Sequence, residues 1–220
     1  MKRVNNVLDD IASTYSFWGR SGLYGVGTSL TLLGREPQIR RKCVEQLQLL
    51  PGGRVLDIAC GTGRNHPYLV EAVGASGEVV GLDYTPEMLD CARRQAEQRD
   101  WQNVTLLEGD AATIDLVPGT FDGVIGVLGF SVIPDHREAV RRCAALLRME
   151  GRMVICDATP FRGLLRPLNV LTVPLYRRLA RWNTDKDLLG ALGDHLELVN
   201  LQRFNGGSIY VATGVKENAI

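Results

Sequence analysis

The most constraining feature of this sequence is the regular alternation of strand-like and helix-like segments through its middle. Short apolar runs predict strands at 54–59, 78–83, 104–108, 121–127 and 152–157. Amphipathic stretches predict helices at 64–73, 85–99 and 134–148, the last ended by Gly151. This order is typical of a parallel sheet covered on both faces, so we predict a doubly wound α/β fold. Two more strands between 196 and 214, joined at Gly206-Gly207, would bring the mostly parallel sheet to seven strands.

The segments that flank this core differ from it in composition. We divide the chain into an N-terminal helical cap (1–50), a ligand-binding core (51–157), a helical cap or substrate lid (158–194) and C-terminal strands that complete the sheet (195–220). Residues 158–184 carry five arginines and no acidic residue, interleaved with aliphatic side chains. We expect the N-terminal segment and residues 160–194 to pack as helical pieces over the open end of the sheet, with Pro167 and Pro174 breaking the second.

Composition excludes several classes of protein. The 25 basic and 25 acidic residues cancel, so no general attraction to nucleic acid is expected. The five cysteines are scattered and form no CxxC pair, which argues against a zinc site or a disulfide framework and fits buried thiols in a reducing cytoplasm. The acidic residues near the start are unlike a signal peptide, and no apolar run reaches the length of a membrane span. We therefore expect a cytoplasmic protein without a metal.

The turn after the first strand predicts a nucleoside ligand. It reads Asp57-Ile-Ala-Cys-Gly61-Thr-Gly63, and two glycines two residues apart let the backbone turn tightly and approach a ligand. A dinucleotide fingerprint would need a third glycine where His66 stands, and the Gly-Lys-Ser/Thr of a phosphate-binding loop is absent. The turn therefore lacks the usual equipment for a pyrophosphate.

Acidic residues at the ends of the next two strands strengthen this interpretation. Asp83 ends the second strand, 22 residues after Gly61, where a carboxylate can accept hydrogen bonds from ribose hydroxyls. Asp110 follows the third strand, where it can accept from an adenine amino group, and Tyr84 and Met88 offer an apolar face for the base. Each acid alone could equally be a helix cap or a solvated loop residue. Their combination with the glycine turn is much more specific.

These residues carry a resemblance to a known family. From about Arg54 to Asp157 the chain resembles the class I S-adenosylmethionine-dependent methyltransferases, whose fold is Rossmann-like. Finer motifs at 61–65, 81–89, 131–135 and 204–212 are similar to those of the small bacterial phospholipid and betaine-lipid N-methyltransferases. The ubiquinone/menaquinone C-methyltransferases share the general plan.

The resemblance implies a set of residues that bind S-adenosylmethionine and its product S-adenosylhomocysteine. They would contact, in order, the methionine end, the ribose, the adenosine, the adenine and the sulfonium with its methyl group. In that order the set comprises Asp57, Ala59, Gly61 and Gly63; Asp83; Tyr84 and Met88; Asp110 and Ala111; and Val127 and Leu128. Tyr15, in the N-terminal helix, would reach the cofactor's carboxylate.

Two departures from the family lie near the expected acceptor. Leu128-Gly129 stands where a larger or aromatic residue is usual, and His136 follows Ile-Pro-Asp where a ring such as Trp is common. His136 is the histidine nearest to the expected methyl group, so it is the candidate general base for a phenol or enol acceptor. The alternative is a first-turn helix residue hydrogen-bonded to backbone or solvent. An amine acceptor needs no base if it arrives unprotonated.

The arginine-rich segment bears on the acceptor. Arginines among aliphatic residues can lie on an anionic membrane surface, bind a lipophilic molecule that carries phosphate or carboxylate, or simply be solvated on a cap helix. We predict a methyltransferase that acts on a small lipophilic acceptor, with a lipid headgroup amine as first candidate. O- or C-methylation of a quinone or specialised metabolite is the second candidate, and a non-methylating activity such as that of a cyclase is the third. A nicotinamide oxidoreductase is disfavoured by His66.

Overall fold

The computed structural model describes residues 2–21 and 24–217, and the side chains of 7–21 and 24–217. Within this part of the chain the strands are β1 (Arg54–Ile58), β2 (Glu78–Asp83), β3 (Val104–Glu108), β4 (Phe121–Val127), β5 (Leu147–Ala158), β6 (Glu197–Phe204) and β7 (Ile209–Val215). They form one sheet in the order β3-β2-β1-β4-β5-β7-β6, with β7 antiparallel to both of its neighbours. The predicted mostly parallel, seven-stranded sheet is therefore confirmed.

Helices cover both faces of this sheet. They are α1 (Lys2–Ser21), α2 (Tyr24–Thr31), α3 (Glu36–Leu47), α4 (His66–Val73), α5 (Pro86–Gln98), α6 (His136–Leu146), α7 (Asn169–Ala180) and α8 (Leu188–Gly193). Short 3₁₀ turns occupy Gly163–Leu168 and Asn205–Gly207. None of the described helices combines the length and the apolar character that a bilayer crossing requires.

The alternation of side chains along the strands builds two apolar cores. In β1, Leu56 and Ile58 point into a core that includes residues of α6 and α8, whereas Val55 points into a second core built with α3 and α4. A strand buried on both faces must be apolar at nearly every position, which is why these strands appear in the sequence as continuous apolar runs.

One predicted boundary is wrong. The sequence placed the end of a helix at Gly151 and the start of a strand at Arg152, but α6 ends at Leu146 and β5 begins at Leu147. Phe121 pairs with Leu147, and the next pair joins Gly123 to Arg152, so β5 contains an irregularity between the two pairs. A Cβ at residue 151 would lie 2.8 Å from the carbonyl oxygen of Arg148. Gly151 therefore permits a bulge inside the strand rather than ending the helix.

Helices α1, α2 and α7 lie over the edge of the sheet where the parallel strands end. The Tyr15 hydroxyl donates to the carbonyl of Ala180 (3.0 Å), and the Trp18 indole donates to that of Leu179 (3.1 Å). On the other side of α1, Ser16 donates to Glu87 at the start of α5 (2.6 Å). Helix α7 continues through Pro174, contrary to the predicted break, whereas Pro167 lies in the 3₁₀ turn before it. The expected helical caps are present, and the division into four units stays a prediction.

Candidate functional site

A cleft, called here the edge cleft, opens where β1, β2, β3 and β4 end. Parallel strands bring their carboxyl ends to the same side of a sheet, so side chains far apart in sequence meet there. The edge cleft is lined by nine of the twelve residues predicted to bind the cofactor: Tyr15, Ala59, Gly61, Asp83, Tyr84, Met88, Asp110, Ala111 and Leu128.

The turn after β1 has the backbone that a close approach requires. Gly61 and Gly63 have φ angles of 57° and 77°, in the left-handed region that favours glycine. Ala59 also lies in this region, with a φ of 50°. A Cβ at Gly129, after β4, would lie 2.7 Å from the Cβ of Ala59. Glycine at 129, one of the departures from the family, therefore allows the turns after β1 and β4 to pack together.

Asp83 forms the polar centre of the edge cleft. One carboxylate oxygen accepts from the backbone N–H of Gly61 (2.8 Å) and the other from that of Thr85 (2.9 Å). The Thr85 side chain and the Tyr84 backbone also hydrogen-bond to this carboxylate, which lines the cleft and is the kind of acceptor that ribose hydroxyls require. Burial raises the pKa of Asp83, against the lowering effect of these backbone bonds. The geometry fits a ribose diol.

The end of β3 supplies groups that fit an adenine. One carboxylate oxygen of Asp110 accepts from the backbone N–H of Ala112 (2.9 Å), which holds the side chain at the cleft and leaves its second oxygen free of bonds to described residues. Met88 is buried and Tyr84 lines the same wall, so the region beside Asp110 is apolar. Such a wall suits a flat ring that carries an amino group.

Asp57, Gly63 and Val127 do not line the edge cleft. Val127 is buried in the core, and a Cβ at Gly63 would lie 2.7 Å from Nδ1 of His66, so Gly63 gives room for the helix start. Asp57 lies under the turn and accepts from the side-chain amide of Asn65 (2.8 Å). Asp57 and Gly63 therefore lie behind the edge cleft, where they support the conformation of the turn.

The groups under the turn form a buried polar network. Arg40 donates to Asn65 (2.5 Å) and to Glu36 (2.8 Å), and these residues are almost fully buried. Burial raises the pKa of Asp57 to about 7 and lowers the pKa of His66 to about 4. Both shifts favour the neutral forms, so the 3.5 Å contact between Asp57 Oδ2 and His66 Nε2 is not an ion pair at neutral pH.

A second cavity of about 260 Å³, called here the apolar cavity, adjoins the edge cleft. The two share Tyr15, Tyr24, Leu128 and Val132. Its other walls come mainly from aliphatic and aromatic side chains of α1, α2 and α7, including Trp18, Leu30, Leu175, Tyr176 and Leu179, and from Trp182, which follows α7. Its shape and lining suit a largely apolar molecule placed next to whatever occupies the edge cleft.

One acidic group faces this apolar cavity. Asp157 lies near the end of β5, where it accepts from the hydroxyl of Ser131 (2.7 Å) and the backbone N–H of Ser131 (2.9 Å). Burial raises its pKa. Burial likewise raises the pKa of Tyr15 and of Tyr24, the latter to about 12, so both phenols stay protonated at neutral pH. Of these groups, Asp157 is the one suited to accept a proton.

His136 is the first residue of α6 and lines neither the edge cleft nor the apolar cavity. Its Nε2 atom is buried and has no hydrogen-bond partner among the described residues. Burial, the nearby charge of Lys186 and that of Arg137 lower its pKa, against the opposing charges of Asp135 and Asp187. The structure thus does not bring His136 to the two cavities that a donor and an acceptor would fill.

The sequence analysis missed several residues of the two cavities. Leu8 and Ile11 of α1 line the edge cleft, and Tyr24, Ser131 and Asp157 line the apolar cavity. Asp157 had a signal, because it stands near the carboxyl end of a predicted strand as Asp83 does. The α1 residues had none, since an amphipathic helix does not reveal which surface it will cover. No cluster of possible metal ligands occurs in the described ranges.

Comparison with known proteins identifies the domain type. Residues 55–151 match a family described as a methyltransferase domain. The demethylmenaquinone methyltransferase of Bacillus cereus is 30% identical over 158 residues, which are 72% of this chain and 62% of that protein. The chain thus spans less than two thirds of the length of that relative.

Solved structures share the fold at low sequence identity. An S-adenosylmethionine-dependent methyltransferase from Aquifex aeolicus has a TM-score of 0.62 and 19% identity, over 80% of this chain and 88% of the other. The cyclase SpnF has a TM-score of 0.69 and 13% identity, over 82% and 81%. The sequence match therefore identifies residues 55–151 as a methyltransferase domain, and these solved structures share its fold.

Proposed function

We propose that this chain transfers a methyl group from S-adenosylmethionine, held in the edge cleft, to a lipophilic acceptor held in the apolar cavity. The observation that carries the proposal is the junction of the two cavities at Tyr15, Tyr24, Leu128 and Val132. A donor in the edge cleft and an acceptor in the apolar cavity would therefore lie next to each other.

The donor supplies, when bound, a methyl group on a sulfonium, whose thioether is a good leaving group. The protein's share of the work is then mainly alignment and exclusion of water, and orientation of this kind can contribute about 7–11 kcal/mol of the barrier. Asp83 and Asp110 would orient the nucleoside, and α1 would cover it with Leu8 and Ile11. Ser16 and Arg20 tie α1 to Glu87, which holds this cover in place.

The acceptor that this cavity suits best is a flat, hydroxylated ring of the quinol type. Its apolar and aromatic walls match such a ring, and Ser131 with Asp157 offers a route for the hydroxyl proton. The proton would pass to the Ser131 oxygen while the Ser131 proton passes to Asp157. The name of the Bacillus cereus relative, demethylmenaquinone methyltransferase, supports the same acceptor class.

A lipid headgroup amine is the second candidate. Tyr176 and Trp182 form an edge-to-face pair with ring centroids 6.2 Å apart, and Asp157 lines the same cavity. Aromatic faces beside a carboxylate are a common environment for ammonium groups. This arrangement would favour repeated N-methylation, for which no general base at His136 is needed once the amine has lost its proton.

The test is a direct comparison of acceptors. Purified protein is incubated with S-adenosylmethionine and either a demethylmenaquinol or a phosphatidylethanolamine in detergent, and both S-adenosylhomocysteine and methylated product are quantified by mass spectrometry. Stoichiometric product from the quinol is the expected result, and Asp157→Asn should then lower kcat more than it raises KM. Product from the amine alone would replace the first candidate with the second. Tight binding of S-adenosylhomocysteine without methylation of either class would favour a non-methylating activity such as that of a cyclase.

A further inference from the structure

The segment from Gly163 to Ala180 presents an unusual number of bare apolar side chains. Leu164 is 99% exposed, Val170 is 77% exposed and Leu171 is 75% exposed. Leu165, Leu168, Leu175 and Leu179 are also exposed. The 3₁₀ turn and α7, which together make up this segment, contain no buried residue. Core packing therefore does not explain why the segment is rich in leucine, and so many exposed apolar side chains in one segment indicate an interaction site.

The charged side chains of the same region are all basic. Residues 158–184 contain five arginines and no acidic residue. Arg177 is paired with Asp185 and Arg181 with Asp10. Arg162, Arg166 and Arg178 have no ion-pair partner among the residues whose side chains are described, so three positive charges beside the apolar surface are available to an external anion.

The mouth of the apolar cavity opens on this surface. Leu30 of α2 and Leu175 and Leu179 of α7 line the cavity and are also 66%, 53% and 44% exposed. These leucines form a rim between the inside of the cavity and the outside of the protein. An apolar molecule that enters past this rim would contact these leucine side chains on its way to the cavity.

We propose that this face, made of residues 163–180 and the exposed rim of α2, docks on an anionic lipid bilayer. The exposed leucines and Val170 enter the boundary between headgroups and acyl chains, and Arg162, Arg166 and Arg178 contact lipid phosphates. A second copy of the chain is a poorer occupant, because a twofold contact through this face would bring the arginines of both copies together. That the acceptor enters through the rim rests on the proposed function; the docking does not.

The experiment measures partition onto vesicles with the full chain. The probes are vesicles of phosphatidylcholine alone and of phosphatidylcholine with phosphatidylglycerol, and bound protein is separated by sedimentation. We expect binding to the anionic vesicles that weakens with added salt. Arg162→Gln/Arg166→Gln/Arg178→Gln should lower the partition coefficient roughly hundredfold, since each basic residue near such a surface contributes about fivefold. Val170→Ser/Leu171→Ser should lower it at least about tenfold.

Matched controls separate docking from general effects of charge or exposed apolar area. Arg93→Gln/Arg141→Gln/Arg148→Gln removes three exposed arginines outside the segment, and Leu50→Ser/Val117→Ser removes two side chains that are 69% and 67% exposed. Both controls should bind as the wild type does. Absence of vesicle binding, equal losses in controls and test variants, or a dimer in solution that Val170→Ser/Leu171→Ser dissociates would each overturn the proposal. S-adenosylhomocysteine affinity, measured in parallel, is expected to be unchanged in every variant, so failure of docking is distinguishable from failure of the proposed function.

Discussion

Replacing Asp83 by Asn tests the nucleoside-binding role of the edge cleft with the least disturbance of the fold. The Asn oxygen can keep one of the two backbone hydrogen bonds from Gly61 and Thr85, but the charge and half of the acceptor capacity are lost. Hydrogen bonds to a charged group contribute about 1.5–3 kcal/mol. The Kd for S-adenosylhomocysteine should therefore rise roughly 10- to 150-fold, as measured by isothermal titration calorimetry.

The neighbouring strand provides a matched control. Glu108 pairs in register with Asp83, ends β3 as Asp83 ends β2, and is exposed without lining the edge cleft. Glu108→Gln removes the same charge from the same edge of the sheet, so its Kd should stay within about twofold of the wild type. Urea unfolding of both variants checks that the fold persists. An unchanged Kd in a folded Asp83→Asn protein, or an equal loss in Glu108→Gln, would refute the reasoning.

Three further predictions concern the groups around this cleft. The raised pKa of Asp57 means that its contribution to stability is complete below the unfolded value of 3.8 and is lost as pH rises through about 7. The Asn side chain of Asp57→Asn does not titrate. The free energy of unfolding of this variant minus that of the wild type should therefore increase over that pH range, by at most roughly 4 kcal/mol, in urea titrations. A difference that stays constant with pH would contradict the raised pKa. Gly27 lines only the apolar cavity, and a Cβ there would meet nothing within 4 Å, so Gly27→Leu should raise the acceptor KM at least about tenfold with an unchanged Kd for S-adenosylhomocysteine. An unchanged acceptor KM would place the acceptor elsewhere. His136→Gln should change kcat/KM less than about threefold, because His136 lines neither cavity, whereas a loss of about a hundredfold would identify it as a general base after all.

Local sequence patterns predicted the strands of the sheet, the acidic residues at their ends and the glycine turn after the first strand. A strand buried on both faces must be apolar, so the strands of the sheet could be read directly from the sequence. Asp83 and Asp110 could be placed because parallel strands bring their carboxyl ends to one edge. Gly61 was predictable from the left-handed backbone that the turn requires.

The features that sequence did not predict depend on contacts between distant segments. The bulge at Gly151 arises from the pairing of β5 with β4, which no local pattern encodes. The place of Gly63 follows from its contact with the buried ring of His66, and Asp57 is held by Asn65 within a network that reaches Arg40 of α3. The walls of the apolar cavity come from α1, α2 and α7 together, so it became visible only in three dimensions.

Transfer of a labelled methyl group tests the central claim most directly. The protein is incubated with S-adenosylmethionine that carries a trideuterated methyl group and with a total bacterial lipid extract, and the lipids are then examined by high-resolution mass spectrometry. The account predicts that a lipophilic molecule gains the mass of one trideuteromethyl group less one hydrogen, and that Gly27→Leu strongly reduces the initial rate of this gain while still binding the donor. Label confined to water-soluble molecules, or label that Gly27→Leu transfers as well as the wild type does, would contradict it.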